Sequence, residues 1–137
     1  MPAISQPTDD PNSSNVNINK KIVNVITKFS FATKTGIAPH NPAKVNQDAY
    51  ITSPHMMGLK HCHFFSICDG HGQYGRDVSS LLKHRLPFIL ENQMKLELSS
   101  HDLNQYPLKH SIYKSMKDSF SMSNKEVCTL LQDVRFR

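Results

Sequence analysis

The sequence predicts an α+β chain in which short strands come first and helices follow. Three observations carry this. His63-Phe64-Phe65-Ser66-Ile67-Cys68 is a compact apolar run that stops abruptly at Asp69-Gly70, the pattern of a buried strand ending at a functional turn. From Tyr74 the hydrophobic spacing changes, and Val78, Leu81, Leu82, Leu86 and Ile89 fall near one helical face. A last amphipathic stretch runs from about Ser111 to Leu131, with Ile112, Met116, Phe120, Val127, Leu130 and Leu131 as its apolar stripe.

The elements follow in order. Residues 1–21 form a polar tail: Pro2, Pro7 and Pro11 sit among four Asn and three Ser with few apolar side chains, too little to offset the entropy of ordering, so disorder is expected. The single folded domain is expected over residues 22–137. Ile22 to Ile26 is β-branched and suits a strand or a lead-in, and Phe29-Ser30-Phe31-Ala32 alternates as a strand does. Gly36 to Pro42 is a loop, punctuated by Gly36, Pro39, Asn41 and Pro42. Asp48 to Thr52 suits a strand with Tyr50 on its buried face, and Pro54 to Lys60 is a second loop. Pro87 should break the first helix near Arg85. Both helical stripes are expected to be core.

Composition excludes several classes. The chain has 137 residues, 38% of them hydrophobic, which is enough for one domain with a modest core. Its charge is +5 and its pI about 9.2, but the lysines and arginines are scattered, without the dense aromatic-interleaved run of a nucleic-acid binder. A basic surface would suit phosphorylated, acidic protein partners. Cys62, Cys68 and Cys128 have no framework spacing, which suits a reducing compartment, the cytoplasm or the nucleus. No apolar leader segment is visible, Pro2 excludes N-myristoylation, and no apolar run is long enough to span a membrane.

The chemistry concentrates at Asp69-Gly70-His71-Gly72-Gln73-Tyr74-Gly75. A carboxylate at a strand end can hold a hard divalent cation, and the Gly70 carbonyl can turn toward the same ion. His71 can give a proton near neutral pH. Alone, the four residues Asp69-Gly70-His71-Gly72 are equally compatible with a plain turn. His61-Cys62-His63, with His55 nearby, has poor spacing for zinc, since neighbours on a strand point to opposite faces. Cys68 reads as a small core residue. Ser79-Ser80 has no partnered base, so a serine hydrolase is unsupported.

Upstream lies Lys44-Val45-Asn46-Gln47-Asp48-Ala49-Tyr50. Together with Phe64 to Pro87, in that order and separation, this resembles the metal-dependent protein Ser/Thr phosphatases of type 2C, in the variant with Gln before Asp found in plants and protists. Ser119-Phe120 and Asp133 to Phe136 extend the resemblance, which covers about Lys28 to Arg137. It implies the N-terminal part of a β-sandwich flanked by helices, with a binuclear Mg or Mn centre. Asp69 would bridge the metals, the Gly70 carbonyl would bind one, and Asp48 would hold metal-bound waters. Gln47 falls where many members carry Glu, and it would be a further metal contact. A metal-activated water would attack phosphorus, and His71 would protonate the departing serine or threonine oxygen.

The chain departs from that pattern in two places. Ala43 stands where a phosphate-binding basic residue is usual, and Lys44 follows one place later. Lys44 could reach the phosphate as a point charge, or be a solvated lysine. No later aspartate motif follows Gly72, so the sandwich and the metal centre are expected to be incomplete and the isolated 137 residues inactive. Phosphorylated proteins are the expected partners, with no nucleic acid and no membrane, and a monomer is expected. The alternative is a truncated phosphatase-like module that binds without catalysis.

Overall fold

The computed structural model describes residues 26–100 and 108–135. The expected tail and most of the Ile22 to Ile26 stretch lie outside the described residues. Two strands, β1 (Ala49–Ser53) and β2 (Phe64–Cys68), form an antiparallel pair, followed by helices α1 (Gly75–Ser100) and α2 (Leu108–Arg135). The α+β class is therefore present. The sheet has two strands among the described residues, so the architecture seen is a hairpin with a helical pair.

Period-two alternation decides which side of the hairpin is covered. Ile51, Phe64 and Cys68 point to one face and are buried against α1, where Leu86, Leu90 and Met94 complete the cluster. Met56, on a single 3₁₀ turn over Met56–Gly58, closes that cluster at one end. The opposite face carries Tyr50, Phe65 and Ile67, and Ile67 keeps 75% of its surface exposed. Tyr50 was expected on the buried face, but it belongs to this half-open one. Phe29 and Phe31 lie across it, with ring centroids 4.9 Å from Phe65 and 4.4 Å from Tyr50. The 29–32 segment is no strand: it contributes aromatic rings to the sheet surface instead of a ladder.

Helix α1 runs unbroken through Pro87, contrary to the expected break near Arg85. Proline in a helix interior costs about 3 kcal/mol. Burial of Leu86 and Ile89 to Leu90 on either side of it, each worth roughly 1.5–3 kcal/mol, outweighs that cost. One face of α1 meets the sheet. The stripe Arg85, Ile89, Gln93 and Glu97 meets α2, which returns antiparallel. Arg85 donates two hydrogen bonds to the Glu126 carboxylate, at 2.8 and 2.7 Å. The Gln93 amide meets the Met122 sulfur at 3.3 Å, and Lys114 pairs with Glu97. The Arg85 hydrogen bonds hold the Glu126 carboxyl below its usual range.

The face of α2 turned inward is not the apolar stripe. Ser111, Ser115, Ser119 and Ser123 are buried, whereas Ile112, Met116 and Phe120 are exposed. This corrects the expectation of a core stripe for its first half, while Val127, Leu130 and Leu131 are half-buried. Two of the serines satisfy their hydroxyls within their own helix: Ser115 Oγ donates to the Ser111 carbonyl at 2.8 Å and Ser119 Oγ to that of Ser115 at 2.6 Å. A row of short side chains lets α2 sit close against the long ones of α1. Ser115→Leu should accordingly destabilise the fold by about 1–3 kcal/mol through overpacking, while Phe120→Ser stays within about 0.5 kcal/mol. Urea denaturation of the two variants checks this; the reverse ranking would place the apolar stripe inside.

Candidate functional site

The hairpin register builds the site. Ala49 pairs with Cys68, so the residues just outside the ladder, Asp48 and Asp69, leave the sheet at the same end. Asp48 Oδ1 accepts a hydrogen bond from the Gly70 N–H at 3.3 Å, and this ties the two segments together. The Asp48 N–H in turn donates to Asn46 Oδ1 at 3.0 Å, an Asx turn that fixes how the chain enters β1. Asn46 Nδ2 donates to Thr33 Oγ1 at 2.6 Å and so anchors the turn to the preceding segment.

Gly70 is required by close approach. A Cβ on it would lie 2.1 Å from the Gln47 carbonyl oxygen and 2.6 Å from that of Gly75. Contacts under 3.0 Å with backbone cannot be relieved by a side-chain shift, so no other residue fits. Gly72 has φ +75°, a left-handed turn that glycine adopts without cost. This turn presents the Gly72 carbonyl to the Gln47 amide, whose Nε2 donates to it at 2.8 Å. Buried Ser79, one turn into α1, donates to the Gln47 carbonyl at 2.5 Å and also lies 3.1 Å from the Arg76 carbonyl. With one proton between two acceptors, the shorter contact is the stronger.

Gln47 is thus a latch. Its backbone carbonyl is held by α1, and its side-chain amide is turned to the loop that links β2 to α1. This geometry commits the side-chain Nε2 to the loop and leaves Gln47 on the wall of the polar cleft it shares with Asp48 and Asp69.

Asp48, Asp69, Gly70, Gln47 and Lys44 line one polar cleft of about 270 Å³, together with Lys34 and Asn46. Five of the six residues singled out from sequence therefore converge. The sixth, His71, is exposed on the same loop and does not line that cleft. Lys44 folds over Gly36: a Cβ placed there would be 3.6 Å from its Nζ. Neither aspartate and neither lysine makes an ion pair among the described residues. Sequence reading missed Lys34, Asn46 and Ser79. The Asn46-x-Asp48 spacing is an Asx-turn signal that could have marked Asn46; nothing local marks Lys34 or Ser79.

The other candidates separate from this cleft. His63 Nδ1 lies 2.7 Å from the Pro54 carbonyl oxygen, and its ring stacks over Phe65. Cys68 is buried in the core as expected, and burial pushes its thiol pKa up. No helix of the described residues is long and apolar enough to cross a membrane.

No protein-family model matches the chain, and no solved structure matches it. Over 68 residues, half of its length, it is 34% identical to an Arabidopsis thaliana protein described as "Probable protein phosphatase 2C 35". Those residues are 20% of that protein, so the chain spans about a fifth of this relative's length.

Gly70→Ala should cost about 3 kcal/mol of stability, at the upper end of overpacking penalties. Ser79→Ala, which leaves the Gln47 carbonyl without its donor, should cost about 1–3 kcal/mol, and Ser79→Thr should recover part of it. Equilibrium unfolding measures both; a neutral Gly70→Ala would show that the two backbones do not meet.

Proposed function

We propose that this chain carries part of a divalent-metal-dependent protein Ser/Thr phosphatase, with cation and phosphate held between Asp48 and Asp69. One observation supports the reading above all: two carboxylates from separate segments, Asp48 and Asp69, converge with Lys44 on one polar cleft at the ends of β1 and β2. The partial identity to a plant protein phosphatase 2C supports it independently.

The donor set suits Mg²⁺ or Mn²⁺. Asp48 and Asp69 offer hard oxygen ligands that are not spent on ion pairs among the described residues, and the Gly70 carbonyl adds a third. Such ions take one or two carboxylates and keep several waters. When bound, the cations supply charge that offsets the phosphoryl oxygens and activates water for attack on phosphorus. The chain's own residues do the rest. Asp69 and Asp48 hold the ions, and the Gln47 latch keeps the loop after Asp69 in place. Lys44 attracts the phosphate as a point charge. His71, two residues beyond Asp69 and open to solvent, holds a proton for the departing serine or threonine oxygen. The substrates in this reading are phosphoserine and phosphothreonine in proteins. The free thiols Cys62, Cys68 and Cys128 suit a reducing compartment.

A second reading, phosphopeptide binding without turnover, has one observation in its favour. Among the described residues no group of three or more His, Cys, Asp or Glu side chains stands together to hold a metal, so the protein carboxylates at this site number two.

Phosphate release from phosphoserine peptides separates these readings, measured with and without Mn²⁺ on the longest in-frame protein containing this segment. Asp69→Asn should lower turnover about 100-fold or more, because several kcal/mol of charge stabilisation is lost. Unchanged turnover in that variant, or turnover that persists in EDTA, would contradict the phosphatase reading. Asp69-dependent binding without any turnover would favour the second.

A further inference from the structure

The cleft does not end at Asp48. Asn46 and Asp48 also line an adjoining hollow of about 210 Å³, whose far side is built by Arg76, Ser80 and Lys83 from the exposed edge of α1. Lys83 and Tyr50 continue into the next groove along β1. The result is a shallow channel running from the Asp69 turn along the first two turns of α1.

Four cations line it against the two carboxylates of Asp48 and Asp69. Lys34 and Lys44 stand at the turn, and Arg76 and Lys83 stand farther along. None of the four makes an ion pair among the described residues. Three other cations are used internally: Arg85 on Glu126, Lys95 on Glu91 and Lys114 on Glu97. Lys83 is also held in place, its Nζ 4.5 Å from the centre of the Tyr50 ring, and it is only half-exposed. An ammonium fixed by a ring face loses less entropy on meeting an anion than a free surface lysine does. The charge at the turn belongs to the phosphate-binding reading. Arg76 and Lys83 lie past Asp48 from it and have no part there.

From this we infer that Arg76 and Lys83 read an acidic side chain next to the phosphorylated residue, so that the preferred partner is a phosphopeptide with a Glu or Asp flank. This deepens the phosphatase reading and rests on it. The aspartates at the turn would repel such a peptide unless cations neutralise them, so the preference should require a divalent ion. Exposed charge pairs are weak singly, and two of them give a preference of about three- to tenfold that shrinks as salt is raised.

The test measures binding of the full chain in Mn²⁺ to three peptides that carry a non-hydrolysable phosphonate analogue of phosphoserine, flanked by Glu, Ala or Lys. Unphosphorylated versions and Asp69→Asn serve as controls for the phosphate site itself. The wild type should prefer the Glu-flanked peptide, the double variant Arg76→Ala/Lys83→Ala should lose that preference, and Arg76→Glu/Lys83→Glu should turn it toward Lys. A misfolded protein cannot produce such an inversion. Equal affinity for all three phosphopeptides, with binding still dependent on Asp69, would overturn the flank-reading role and leave the phosphate site standing. A Glu preference that survives both double variants would overturn it as well. The absence of any phosphate-dependent binding would remove both.

Discussion

The site depends on how closely two backbones pass at Gly70. The Gln47 carbonyl and the Gly75 carbonyl both press against the place where a side chain would be. This approach brings the segment before β1, the turn after β2 and the start of α1 into one knot. Ser79 closes the knot from the helix and the Gln47 amide closes it from the loop. Asp48 and Asp69 are then adjacent by consequence, because each is one residue outside a ladder whose end the knot fixes. The carboxylates do not need to attract one another, which like charges would not do. Backbone packing and register put them there.

The hairpin and its turn were legible because each leaves a local mark. An apolar run that halts at Asp-Gly, and an acidic residue at the start of a second β-prone run, are visible without any partner. The roles of Gln47 and Ser79 were not legible. A glutamine amide that bonds a carbonyl 25 residues away, and a serine hydroxyl that bonds one 32 residues away, depend on tertiary placement alone. The same holds for Lys34, which the sequence offers as one scattered lysine among many.

The helices show the limit of periodicity. A helical stripe tells which residues share a face, and both stripes do so correctly. It does not tell which face is covered. In α2 the small polar row wins, because long side chains on α1 leave room for short ones opposite and serine can bond its own helix. In α1 the proline rule fails for a related reason: burial on both sides of Pro87 holds the helix together across the missing hydrogen bond. At Phe29 to Ala32 the alternation is real, but the rings serve to cover Tyr50 and Phe65 without strand pairing.

The central claim is that the Asp48 and Asp69 ends of the hairpin form one cation site. Paramagnetic broadening of backbone amide signals by Mn²⁺ at substoichiometric amounts tests it most directly, since it maps the bound ion residue by residue. Signals of Asn46, Asp48, Asp69 and Gly70 should broaden first, those of Thr52 and Phe65 at the other end of the sheet should persist, and Asp69→Asn should abolish the selectivity. Broadening centred on His55 and His63, or none that is selective, would contradict it.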